Sequence, residues 1–167
     1  MAELRTILWQ KKFSYAGLID VKGVYRVATD WLMEQDYKPY EKKHMEQNFE
    51  EGKEIIVEIH GEKDLSDFAQ IRWKTKITCL KLKETVVERD NQRVKMYKGE
   101  IEFCTDVFLA TDYDKSLEQK AFLYFLRTVI DRFVFKSYIN RAIERSKAQY
   151  SKFQDHIRSY LNMESFH

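Results

Sequence analysis

Apolar and polar residues alternate along most of the chain up to about residue 110, and beyond that the period lengthens. Residues 4–15 place Arg5, Ile7, Trp9, Lys11, Phe13 and Tyr15 on one side of an extended chain, which predicts a strand. From Asp20, a residue type suited to capping a helix, Val21, Val24, Tyr25, Ala28, Trp31 and Leu32 recur at spacings of three and four. That pattern predicts an amphipathic helix ending near Glu34. After Pro39, residues 40–49 read as extended, and Glu50-Glu51-Gly52-Lys53 supplies a turn into a strand over Glu54–His60, where Ile55, Val57 and Ile59 share a face. Gly61–Ser66 reads as a loop.

The strongest alternation follows, with Ala69, Ile71, Trp73, Thr75, Ile77 and Cys79 on one face and Gln70, Arg72, Lys74, Lys76 and Thr78 on the other. At Cys79-Leu80 the apolar phase slips, so that Leu80 and Leu82 fall on the lysine side, as a β-bulge or a strand break produces. A turn at Arg89-Asp90-Asn91-Gln92 leads to a strand over Val94–Tyr113, in which Ile101, Phe103, Thr105, Val107 and Leu109 share a face. Short connections of this kind join antiparallel neighbours.

From Ser116 to about Asn162 there is no Gly or Pro, which predicts one or two long helices reaching roughly 70 Å if unbroken. Ala121, Phe122, Phe125, Leu126, Val129, Ile130, Phe133 and Val134 form a wide apolar stripe suited to covering a sheet. The later half shows a narrower seam of Ile139, Ile143, Ser146, Tyr150, Phe153, Ile157 and Tyr160. The expected fold class is α+β, an antiparallel sheet with a short N-terminal and a long C-terminal helix. The expected division is a domain over residues 1–135 and a basic helical extension over 136–167.

With 44% hydrophobic residues and 24 aromatics the 167-residue chain has the apolar surface for one packed core, which opposes disorder. Cys79 and Cys104 have neither metal-ligand spacing nor the look of a secreted disulfide framework, and the first residues lack a signal-peptide core. No window is apolar enough for a spanning helix, so the reading is a cytoplasmic protein without membrane insertion. His44, His60, His156 and His167 are scattered, the carboxylates Glu46, Glu50, Glu51 and Glu54 gather at a hairpin tip, and no phosphate loop or nucleophile elbow occurs. The reading is therefore no metal, no cofactor and no catalytic residue.

Charge changes the picture more than chemistry does. Residues 1–113 hold 19 basic against 21 acidic residues, whereas 114–167 hold 10 against 6. Within that tail, Lys136, Arg141, Arg145, Lys147, Lys152 and Arg158 are interleaved with Tyr138, Tyr150, Phe153 and Tyr160, a mixture suited to phosphates and bases. The expectation is an interaction protein binding RNA or a ribonucleoprotein such as the ribosome. A monomer would leave Ile143, Phe153, Ile157 and Leu161 in water, so the seam Ile139, Ile143, Tyr150, Phe153, Ile157 and Tyr160 is expected to form a homodimer interface. A second basic row, Arg72, Lys74 and Lys76, is expected to be neutralised across the ladder by Glu100, Glu102 and Asp106. A protein-protein adaptor is a further alternative.

The order strand, helix, long antiparallel strands and long C-terminal helix resembles the helix-grip topology of START-like and polyketide-cyclase-like proteins, over about residues 4–135. The resemblance is one of layout, with no motif matched residue by residue. It implies a sheet gripping a helix around a small apolar ligand, in a pocket lined by Trp73, Ile101, Phe103, Phe122, Phe125 and Phe133, in a carrier or a cyclase-like enzyme.

Overall fold

Strand β1 (Glu3–Ile19) leads into helix α1 (Val21–Glu34), followed by β2 (Lys38–Phe49), β3 (Gly52–Ser66), β4 (Ala69–Arg89), β5 (Gln92–Thr111) and helix α2 (Lys136–Ser165). The structure, a computed structural model, describes residues 3–67, 69–111 and 136–165. The wide apolar stripe expected to cover the sheet, with Phe122, Phe125 and Phe133, lies outside the described residues. The strands form one antiparallel sheet in the order β1-β5-β4-β3-β2. This is an α+β architecture compatible with a helix-grip layout.

Local chemistry sets the boundaries. The Asp20 carboxylate accepts from the Gly23 N–H at 3.1 Å and so caps α1. At the other end Asp36 takes a left-handed φ of 65°, and the Tyr37 N–H donates to the Leu32 carbonyl at 2.9 Å, closing a Schellman turn. The turn between β4 and β5 places Asp90 and Asn91 at φ of 48° and 59°, the two left-handed positions that a two-residue hairpin needs.

The phase slip in β4 is a bulge. Lys81, at φ 53°, is the extra residue, and the register jumps between Leu80 and Lys83. Leu80 stays on the lysine side opposite Glu100, but the bulge returns Leu82 to the buried face, where the sequence pattern had put it outside. Gly99 stands opposite the bulge because a Cβ there would lie 2.7 Å from the Leu80 carbonyl oxygen. The expected loop at Gly61–Ser66 is strand, since β2 and β4 pair with β3 on either side through Glu62. Gly61 is used in mid-strand because Tyr37 packs over it, 3.2 Å from where a Cβ would be.

One face of the sheet carries the core. Ile59, Ile71, Trp73, Ile101, Phe103 and Val107 are almost fully buried there, along with Thr75 and Thr105. The two threonine hydroxyls bond to each other at 3.0 Å and the Trp73 indole N–H donates to Thr75 at 2.9 Å, so this polar group costs little to bury. On the opposite face the basic row meets acids from both neighbouring strands. In register Lys74 stands opposite Asp106 of β5, with its ammonium over the Phe108 ring at 5.2 Å, while Arg72 and Lys76 stand opposite Glu62 and Glu58 of β3. Asp106 also accepts the N–H of Gln10 at a bulge in β1, at 2.7 Å.

Candidate functional site

Helix α2 spans 30 residues, about 45 Å at 1.5 Å per residue, and lies against the buried face of the sheet. Phe153, Ile157 and Leu161 have no exposed surface, and Ile139 and Ile143 are 8% exposed. Tyr150 and Tyr160 pack at the margin of the same core, and the Tyr160 hydroxyl donates to the Asp20 carboxylate at 3.4 Å. The expectation that a monomer leaves this seam in water is therefore corrected. Spacings of three and four serve an interhelical seam and a helix docked on its own sheet equally well, and here the sheet takes them up. The ground on which the homodimer was expected is gone.

The six basic residues of the helix separate into three groups. Lys147 is held by Glu144, one turn away, at 2.9 Å. The Arg158 guanidinium sits over the Phe13 ring, 5.5 Å from its centroid. Lys136, Arg141, Arg145 and Lys152 are exposed and have no carboxylate partner among the described residues.

Two of these, Arg141 and Arg145, edge a cleft of about 150 Å³ between the N-terminal half of α2 and the margin of the sheet. A void of that order accommodates a benzene-sized molecule. Its apolar lining is Leu65 of β3, Ile71 of β4 and Ala142 of α2, and Tyr37 and Tyr138 supply aromatic walls. Among the described residues Lys63, Ser146 and Gln149 also line it. Tyr37 reaches this place because the Schellman turn after α1 throws it back over Gly61.

Most polar groups within the cleft are already satisfied. The Tyr37 hydroxyl donates to Gln149 Oε1 at 3.1 Å, and Gln149 Nε2 donates to Gln35 Oε1 at 3.3 Å. Ser146 donates to the Ala142 carbonyl at 2.9 Å and Tyr138 to the Leu65 carbonyl at 3.1 Å. The Lys63 ammonium donates to the Gln35 carbonyl at 2.9 Å, lies 3.7 Å from the Asp36 carboxylate and sits over the Tyr37 ring at 5.7 Å. Burial pushes the Tyr37 hydroxyl up to about 12, the neighbouring Ser146 hydroxyl acting in the opposite sense, so it remains a neutral donor.

Of the residues expected to line a helix-grip pocket, Phe122, Phe125 and Phe133 lie outside the described residues. The other three, Trp73, Ile101 and Phe103, are buried in the core, where Phe153 meets Trp73 at 5.5 Å and Phe13 stacks on Phe103 at 4.6 Å. None of the three lines the cleft. Sequence reasoning named Arg141 and Arg145 but missed Tyr37, Lys63, Leu65 and Ile71. The one available signal was small Ala142 and Ser146 on an otherwise bulky helix face.

The thiols and the described histidines stand apart from the cleft. Burial pushes the Cys79 thiol up to about 12 and also raises Cys104, which disfavours the reactive thiolate in both. His60 bonds Glu58 at 2.6 Å and His44 bonds Glu46 at 3.0 Å, on separate parts of the sheet. Among the described residues no three of His, Cys, Asp and Glu converge as a metal site would need, and no helix is long and apolar enough to cross a membrane. No family model matches the chain, and no curated protein proved similar to it.

Proposed function

We propose that the chain is a binding protein for a small molecule, which it holds in the cleft between the N-terminal half of α2 and the margin of β3 and β4. The observation that carries this reading is the convergence of Tyr37, Lys63, Arg141 and Gln149 on a concave, apolar-floored space. Ligand sites of this kind combine an apolar lining with a few placed polar groups. The reading puts the ligand at the margin of the sheet, in a place other than the one expected of a helix-grip layout. Saturating ligand raises the melting temperature in proportion to the logarithm of its concentration over Kd. A thermal-shift screen with ring-sized compounds therefore has several that stabilise the wild type and leave Ala142→Phe, which fills the cleft, unmoved. A wild type that no compound stabilises contradicts the reading.

A second reading keeps RNA or a ribonucleoprotein such as the ribosome as the partner. It is favoured by Lys136, Arg141, Arg145 and Lys152 standing exposed along one helix without carboxylate partners among the described residues. Retention on RNA should then weaken steeply with salt and be lost when Arg141, Arg145 and Lys152 are reversed to glutamate. Wild-type protein that shows no salt-sensitive retention at low ionic strength removes this reading.

A further inference from the structure

The cleft has an uneven distribution of unsatisfied donors, and this defines what it binds. The hydroxyls of Tyr37 and Ser146 and the amide of Gln149, and at the surface the hydroxyl of Tyr138, are engaged within the protein. The floor of Leu65, Ile71 and Ala142 offers only apolar contact. Lys63 is drawn inward to the Gln35 carbonyl and flanked by the Asp36 carboxylate. What remains open is the pair of guanidiniums at Arg141 and Arg145, one helical turn apart on the same face and without a carboxylate partner among the described residues.

We infer that the ligand is a small organic anion whose apolar body, of about one ring, enters between Tyr37, Ile71 and Ala142 while its carboxylate or phosphate head stays at the mouth on Arg141 and Arg145. This rests on the binding reading above and adds to it the chemical class. Three features combine to give it. A volume near that of benzene limits the body to one ring or a branched aliphatic unit. The flat forks of two arginines match the oxygens of a carboxylate or phosphate better than they match a neutral amide. An anion placed deeper would lie among groups whose hydrogen bonds are already made, and would lose its hydration without replacement.

The test is calorimetry with three one-ring probes, phenylacetate, phenyl phosphate and the neutral phenylacetamide, and with inorganic phosphate. At least one of the two ring-bearing anions should bind about tenfold tighter than the amide, the scale expected of two solvent-facing charge-assisted contacts. Arg141→Gln with Arg145→Gln, both at exposed positions and so compatible with folding, should remove that tenfold and leave the amide unchanged. Ala142→Phe should abolish binding of all ring-bearing probes, provided it melts cooperatively, and added salt should weaken the anions alone. Equal affinity for the anions and the amide, or anion affinity that survives the double glutamine variant, overturns the class while leaving the cleft as a binding site. Inorganic phosphate bound as tightly as phenyl phosphate overturns the role of the apolar floor. If none of the four probes binds, the cleft itself is no ligand site and both readings fall.

Discussion

The two halves of α2 lie on the same sheet and differ in what they leave open. Between Tyr150 and Leu161 the helix turns Phe153, Ile157 and Leu161 inward, where Phe153 packs against Trp31 and Trp73. Between Tyr138 and Gln149 Ile139 and Ile143 also turn inward, but Ala142 and Ser146 beside them line a cleft with Ile71, Leu65 and Tyr37. Small side chains at these two positions leave room that a larger one would take up.

This contrast is easiest to break at its filled end. Phe153→Ala removes a fully buried ring that touches Trp31 and Trp73, and should lower the unfolding free energy by about 3–5 kcal/mol. Ala142→Phe, which grows into existing space, should change it by about 0.5 kcal/mol or less. Denaturant titration of the two variants side by side measures the difference, and equal losses would mean that the two halves are packed alike. Sedimentation of the Phe153→Ala protein belongs to the same experiment. A seam that serves the chain's own core lowers stability without changing molecular mass when it is cut.

An intermediate effect is expected at the core's polar link. Thr75→Val leaves the Trp73 indole N–H and the Thr105 hydroxyl without their partner in a buried setting, and should cost about 1–3 kcal/mol. Adding Thr105→Val should recover part of that, because it removes one of the two stranded groups. A double variant whose loss equals the sum of the two single losses would show that the link is not a coupled unit.

The smallest effect is expected at the hairpin of β2 and β3. The hydrogen bond from His44 to Glu46 raises the histidine above its usual 6.5, while Lys53 and then His44 lower Glu46. A raised histidine contributes fully below 6.5 and loses that contribution as pH rises through its folded value. For Glu46, lowered in the fold, the sign reverses: its contribution is present above the ordinary carboxylate range and lost as pH falls. Both groups are well exposed, so the effect on stability should be slight. NMR titration should nevertheless show His44 above 6.5 in the wild type and closer to it in Glu46→Gln.

How much of this was legible in the sequence follows from the range of each interaction. The Asp20 cap, the Asp90-Asn91 turn and the β4 bulge are local, and a short stretch of residues encodes each of them. The seam on α2 was visible but its partner was not, because a three-and-four spacing records that a face is buried without recording against what. The cleft was hidden for a stronger reason. Tyr37, Lys63, Ile71 and Ala142 belong to the turn after α1, β3, β4 and α2, and only the register of β3 on β4 and the docking of α2 bring them together. Arg141 and Arg145 could be read as basic surface, but their position at the mouth of a cavity is a property of the fold.

The most direct measurement is a methyl-resolved NMR titration of the wild-type protein with phenylacetate and phenyl phosphate. The account predicts saturable shifts at Leu65, Ile71 and Ala142, with Ile157 and Leu161 in the filled half unmoved. Shifts spread evenly over both halves, or confined to residues away from the cleft, would contradict it.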